Sequence, residues 1–274
     1  MKIALPIIIL VLFLSLLYIV ALKGRNNHRG LTAIKKSLYA HRGLHRSSDI
    51  PENSLSAFTL AIAKGYGCEL DVHLLRDGGL AVFHDPTLNR MTGENGNIYD
   101  LGENDLKNYK LNGTNDTIPL FSEVLELFEN KAPLIIELKT DKNNAVALCE
   151  AVFKLLDSYK GIYCVESFDP RVLMWLRKNR PDVIRGQLCQ NFLKDTSKMV
   201  KIIDLILTSL ILNFLTRPDF IAYKFKDRSN LANLICLKLW KIQGVSWTLR
   251  NKQDLHTALN ENLIPIFENF EPTL

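Results

Sequence analysis

No acidic side chain occurs before Asp49. The five cysteines, Cys68, Cys149, Cys164, Cys189 and Cys236, are odd in number and form no C-x-x-C pair. That excludes a disulfide framework or a zinc site and fits buried reduced thiols. With only 14 Gly and 10 Pro, and no internal repeat, the chain is neither collagen-like nor of low complexity. What is present is 274 residues, 47% apolar and 23% charged. That is a globular composition, long enough for one or two domains with a substantial core.

The missing early acids decide how the net charge of +5 is read. Lys2, Lys23, Arg25, Arg29, Lys35 and Lys36 all precede Asp49, and removing those six from 34 Lys plus Arg leaves 28 against 29 acids. The remainder nets −1, so a nucleic-acid-binding body is excluded. Between the first two of these cations, Ile3 to Leu22 is a 20-residue uncharged run, broken only by Pro6, Ser15 and Tyr18. It spans roughly 30 Å as a helix, the thickness of a bilayer core, and Val20-Ala21-Leu22-Lys23 is a poor cleavage site. The expectation is a single-pass anchor in the cell membrane, with residues 1–36 as anchor and basic juxtamembrane linker. The charges that follow the run favour a cytoplasmic body.

From Ser37 onward, short apolar runs alternate with helical periodicity. Strands are expected at Leu38–His41, Cys68–Leu74, Leu134–Leu138, Ile162–Phe168, Val183–Leu188, Phe220–Phe225, Val245–Leu249 and Ile264–Phe267. Helices are expected at Ser54–Ala63, Ser122–Phe128, Asn144–Ser158, Arg171–Lys178, Asp195–Leu210, Asn230–Leu239 and Lys252–Leu259. Eight such units imply an α/β chain folded as a (β/α)8 TIM barrel over residues 37–274, with an open doubly wound sheet as the alternative on pattern alone. The alternation breaks over 76–119, a stretch rich in Gly, Asn and Asp that reads as an insertion after the second strand. It opens as a hairpin at Asp77-Gly78-Gly79. Ile202 to Leu215 is apolar but only 14 residues long and contains Asp204 and Asn213, so it reads as an outer helix, with a membrane-resting face as the alternative.

The chemistry lies at strand ends. Residues two apart in a strand point the same way, so Glu69 and Asp71 project together, and Glu137 and Lys139 repeat the pattern. Three carboxylates there supply the hard oxygen ligands that Mg²⁺ or Ca²⁺ prefers. His41 ends the first strand and His84 the hairpin's return. A two-residue hairpin loop would pair His84 with Asp71 or His73, whereas a three-residue loop would turn it to the other face. Arg42 suits bidentate contact with phosphate oxygens.

His41-Arg42-Gly43, Pro51-Glu52-Asn53-Ser54, Glu69-Leu70-Asp71-Val72, His84-Asp85 with Leu88-Asn89-Arg90-Met91-Thr92-Gly93, Glu137-Leu138-Lys139, Ser167-Phe168 and Trp247-Thr248 resemble the glycerophosphodiester phosphodiesterase family. The resemblance runs from about Tyr39 to the C-terminus and implies a phosphatidylinositol-phospholipase-C-like barrel with an insertion after its second strand. It implies that Glu69, Asp71 and Glu137 bind one divalent cation, Mg²⁺ or Ca²⁺, and that His41 and His84 are the acid/base pair. Arg42 and Lys139 would hold phosphate, with Asn53 and Trp247 as further substrate contacts. The products would be glycerol phosphate and an alcohol. A lysophospholipase-D-like enzyme acting beside its lipid substrate and a non-catalytic lipid-binding barrel are the alternatives. The chain departs from the family's usual Thr-Asp-x-Pro ending, having Phe267-Glu268-Asn269-Phe270-Glu271-Pro272 instead, which leaves the role of Glu268-Asn269 open. No eighth barrel helix follows, so Gly30–Lys36 or the membrane surface is expected to cover that side.

Overall fold

The computed structural model of the chain describes residues 4–46, 49–194 and 201–272. Nine strands form one sheet: β1 (Tyr39–His41), β2 (Gly67–Leu74), β3 (Leu80–Val82), β4 (Leu134–Lys139), β5 (Tyr163–Ser167), β6 (Arg185–Cys189), β7 (Phe220–Lys224), β8 (Gln243–Leu249) and β9 (Ile264–Phe267). Eight of them run parallel and close into a TIM barrel, because β1 pairs with both β2 and β9. β3 is the antiparallel arm of a hairpin on β2. Each parallel strand starts and ends within two residues of its expected place, because fully covered strands read as apolar runs.

Alternation within those runs separates two cores. Leu134, Ile136 and Leu138 of β4 pack outward on the helices Phe121–Phe128 and Ala145–Leu156. Ile135, Cys164, Ile184, Phe220, Val245 and Ile264 fill the barrel interior. Gly186 carries no side chain there because a Cβ would lie 2.0 Å from the Phe220 ring. The helix expected over Asp195–Leu210 forms at Ile202–Thr208, while residues 195–200 lie outside the described residues.

The region 76–119 contains 3-10 turns and one short helix around a small core of its own, including Leu75, Phe83, Met91, Ile98 and Leu106. Of the two loop lengths the hairpin left open, the structure has the longer. Leu75 N–H donates to Gly79 O, so Arg76-Asp77-Gly78 make a three-residue loop, with Gly78 at φ +92°. That is the geometry of a turn closed by a left-handed residue. The register then sets Phe83, not His84, opposite Asp71. His84 still reaches the barrel mouth because β3 has ended at Val82 and the chain has left the ladder.

The N-terminal segment belongs to the barrel to an extent its composition does not suggest. Helix α1 (Ala4–Ala21) has 18 residues, about 27 Å of rise, against the 20-residue span expected. Among the described residues no helix is long and apolar enough to cross a membrane. Helix α2 (Leu31–Ile34) does not occupy the place of an eighth barrel helix. Leu31 and Ile34 instead plug the N-terminal end of the barrel interior, and Tyr39 Oη donates to Ile34 O at 2.8 Å. On the outer face Tyr66, Phe267 and Phe270 stack edge to face, and Tyr66 Oη donates to Pro272 O. An apolar layer of this kind buries the strand face as a helix would.

Between α1 and α2 the chain climbs the barrel wall when followed backward. Arg25 N–H donates to Pro218 O at 2.8 Å, below the start of β7. Leu22 is fully buried beside Cys236 and Ile242, and its carbonyl accepts from Asn213 Nδ2. Tyr18 Oη donates to Ser209 O at 2.8 Å. The neighbouring Leu207 carbonyl and Thr208 hydroxyl accept from Cys189 and Phe192, which lie at the end of β6 and beyond it. α1 therefore rises from the N-terminal end of the barrel toward its C-terminal rim. Its residues Leu5 to Leu17 carry exposed apolar side chains.

Candidate active site

Strands β2 and β4 bring Glu69, Asp71 and Glu137 together, with one ligand oxygen from each lying within 4.8 Å of the others. The register aligns Asp71 with Glu137 and His41 with Glu69. All three carboxylates are buried. Lys139 bridges two of them, its Nζ lying 2.9 Å from Asp71 Oδ1 and 2.8 Å from Glu137 Oε1. Asp71 Oδ1 nonetheless has no aligned hydrogen-bond donor. Buried, mutually repelling oxygens with an unfilled acceptor fit a hard divalent cation.

The electrostatics express that crowding. Burial, with Asp71 and Glu137 alongside, pushes the Glu69 carboxyl well above its ordinary range. Burial likewise raises Glu137 to about 7, against the opposing pull of Lys139. Burial works to raise Asp71 too, but Lys139, Arg42 and His84 overcome it and hold that carboxyl well below its usual value.

Arg42 follows β1 with φ +57°, a left-handed conformation uncommon outside glycine. It lets the Arg42 N–H donate to Glu69 Oε2 at 3.1 Å while the guanidinium turns to Glu52 at 2.8 Å and Asp71 at 3.5 Å. Asn53 is also left-handed, at φ +54°, and its N–H donates to Arg42 O. Its side chain is buried and holds Asp71 through an Nδ2 to Oδ2 bond of 2.8 Å. Expected as a substrate contact, Asn53 is placed behind Asp71 and does not line the cavity.

The two imidazoles face one cavity of about 350 Å³ together with Arg42, Glu69, Glu137, Lys139 and Trp247. His41 Nδ1 lies 2.5 Å from Glu268 Oε2, and its Nε2 lies 3.8 Å from Glu69. An acceptor at Nδ1 places the proton there and leaves the Nε2 lone pair toward the cavity. Burial lowers His41 to about 4, against the raising effect of Glu268. Glu268 is held at about 2 by His41 and Arg250, despite its own burial. The pair is thus a neutral imidazole donating to an anion. His84 Nδ1 is 2.6 Å from Asp85, which Arg90 holds in turn. Burial lowers His84 as well, with Asp71 and Asp85 opposing. A second cavity of about 380 Å³ shares His84, Glu137, Lys139 and Phe168 and continues along the insertion past Tyr99.

The model of the glycerophosphoryl diester phosphodiesterase family matches residues 41–270. The chain belongs to that family. A glycerophosphodiester phosphodiesterase of Bacillus altitudinis is 40% identical over 110 residues, 37% of this chain and 44% of the relative. One from Caldanaerobacter subterraneus is 32% identical over 169 residues, 57% of this chain and 68% of the relative. The lysophospholipase D GDPD1 of Rattus norvegicus is 34% identical over 161 residues, 54% and 48% respectively. The chain thus spans about half the length of most of these relatives. Among solved structures, an Oleispira antarctica phosphodiesterase in complex with the product sn-glycerol-3-phosphate superposes with TM-score 0.69 at 22% identity, covering 85% of this chain and 92% of the other. The Thermotoga maritima glycerophosphodiester phosphodiesterase has TM-score 0.64 at 24% identity, covering 84% and 93%. These two likenesses are of fold.

In this member of the family, the sequence left the role of Glu268 open and pointed to none for Glu52, Asp85 and Glu166. Glu268 was hidden by the altered ending, since only closure of β9 onto β1 brings it to His41. Glu52 and Asp85 form one ion-pair network with Arg42 and Arg90, visible only once the insertion is folded. Glu166 carried a signal: in Cys164-x-Glu166-x-Phe168 it shares the inward parity of two apolar residues.

Proposed function

We propose that the protein hydrolyses glycerophosphodiesters to glycerol phosphate and an alcohol. The observation that carries this reading is a cluster of three buried carboxylates, Glu69, Asp71 and Glu137, beside one cavity lined by two imidazoles oriented by carboxylates and by the cations Arg42 and Lys139. Family membership and the relatives named for this activity support it. A divalent cation held by Glu69, Asp71 and Glu137 would polarise the phosphoryl group and offset its charge. Arg42 and Lys139 hold the phosphodiester by charge-assisted hydrogen bonds. His41, neutral and fixed through Nδ1, accepts the proton of the attacking hydroxyl or water at Nε2. His84, beside Asp85 and the second cavity, returns a proton to the departing alcohol. Trp247 forms a wall of the cavity, its indole N–H donating to Ala222 O at 3.2 Å. The test is turnover of glycerophosphocholine by the purified protein with Mg²⁺ or Ca²⁺. Substitution His41→Ala or His84→Ala is expected to lower kcat by about 10²–10⁴-fold. No turnover, or full activity after His41→Ala, overturns the reading.

A second substrate class is favoured by the course of α1. An apolar helix directed toward the rim that holds the site, on a chain that also exposes Leu193, Ile202, Ile203 and Leu205, suits attachment to a membrane and capture of lysophospholipids from it. The resemblance to a lysophospholipase D supports the same reading. On it, the body lies on the cytoplasmic face of the cell membrane. Labelling of Lys2→Cys and Lys36→Cys in intact cells checks the placement: a Cys at 36 that reacts from outside overturns it. Turnover of lysophosphatidylcholine in vesicles that is no better than that of a chain lacking residues 1–17 overturns the membrane reading.

A further inference from the structure

Glu166 lies on β5 directly beside Glu137 in the sheet, 1% exposed, on the inward face. Among the described residues it has no hydrogen-bond or ion-pair partner, and its Oε2 is enclosed without a donor. It is not one of the three carboxylates that gather their oxygens to fit a cation. Burying a carboxyl with no partner costs several kcal/mol, so a protein that keeps one in a cavity wall leaves it a donor to meet.

The rest of the wall narrows what that donor is. Beside the charged residues already described, the cavity is lined by Phe168, Leu188, Trp247 and Ile266, with Glu166 and Gln190 as its remaining polar groups. The Gln190 amide oxygen already accepts from Lys224 Nζ at 3.3 Å. Phe168 and Trp247 meet edge to face at 5.8 Å. A pocket of carbon walls with one free acceptor matches a short carbon chain bearing a hydroxyl.

Resting on the phosphodiesterase reading, we propose that Glu166 accepts a hydrogen bond from a hydroxyl of the substrate's glycerol moiety. It is thereby the residue that selects glycerol phosphodiesters over phosphodiesters lacking hydroxyls. Sites built around a buried acceptor reject the analogue without the donor, because the acceptor is then left unpaired.

The test is calorimetric binding of glycerol 3-phosphate, n-propyl phosphate and phosphocholine to the full chain loaded with Mg²⁺. Wild type is expected to bind glycerol 3-phosphate at least about tenfold more tightly than n-propyl phosphate. Glu166→Leu should abolish that preference and leave n-propyl phosphate within about twofold, while Glu166→Gln, whose amide oxygen still accepts, keeps part of it. Melting curves confirm that the Leu variant folds. Equal weakening of both ligands, an unchanged preference, or a loss confined to phosphocholine overturns the assignment. If wild type discriminates but the Leu variant discriminates equally, only Glu166 is misassigned. If wild type itself shows no preference and no glycerophosphocholine turnover, the functional reading fails with it.

Discussion

Glu268 of the chain's last segment lies 2.5 Å from Nδ1 of His41, at the end of the first strand, 227 residues away in sequence. Arg250 approaches the other oxygen of the same carboxylate at 2.5 Å. The contact makes Glu268 a positioning residue for the imidazole. Glu268→Gln is expected to lower kcat by about 10–100-fold with little change in KM, as for other orienting partners. Glu268→Asp should recover part of the loss. A fall in KM affinity with kcat intact, measured by steady-state kinetics, would contradict this.

The pH dependence follows from His41 and His73, both lowered by burial to about 4 from an ordinary 6.5. A lowered histidine binds protons more readily unfolded than folded, so its stabilisation is complete above pH 6.5 and lost as pH falls toward 4. Each contributes on the order of 3 kcal/mol at most. Glu268, lowered to about 2, is lost later, between pH 4.5 and 2. In the metal-free protein Glu69 and Glu137, raised by burial, act in the opposite sense over the same window, because the folded state holds their protons more tightly. The Tm advantage of wild type over His73→Asn should therefore shrink as pH falls from 6.5 to 4. The acid limb of kcat/KM should lie below pH 6. A Tm difference that stays constant across that window would contradict the assignment.

Removal of the divalent cation exposes the repulsion among Glu69, Asp71 and Glu137. Treatment with a chelator is expected to abolish turnover and lower Tm, with Mg²⁺ or Ca²⁺ restoring both. In the metal-free protein, Glu69→Gln should raise stability by about 1–3 kcal/mol, because it removes a buried charge pushed to protonate. The same variant should lose activity. Denaturant titrations with and without metal check both halves.

Arg25 holds the bottom of the barrel shut. Its guanidinium pairs with the fully buried Asp219 at 2.6 Å and donates to the carbonyls of Pro181 and Val183. Arg25→Ala leaves Asp219 without its cation and is expected to cost about 2–4 kcal/mol. Lys35→Ala, at an exposed position, should stay within about 0.5 kcal/mol. Equal effects of the two in urea unfolding would show that Arg25 is only a surface charge.

Much of this was legible in one dimension. β4 announces itself as Leu134-Ile135-Ile136-Glu137-Leu138-Lys139, and the spacing of Glu69 with Asp71 already implies a shared face, because strand periodicity is local. What could not be read is pairing across distance. The hairpin loop of three residues shifted the register, and His84 reached the site only by leaving the strand.

The chain's acid-free beginning divides the same way. Its composition alone determined that the positive excess precedes Asp49 and that the rest is near neutral. The alternation of apolar runs and helical periods narrowed the body to a closed barrel or an open doubly wound sheet, and the pairing of β1 with β9 decided for the barrel. Only the tertiary structure decided what those cations do. Arg25 is spent on Asp219, Leu22, Leu31 and Ile34 are core, and the apolar helix is directed toward the catalytic rim. The physical reason is that a charge or an apolar side chain acquires its role from the partner that meets it, and those partners lie some 150 to 220 residues away.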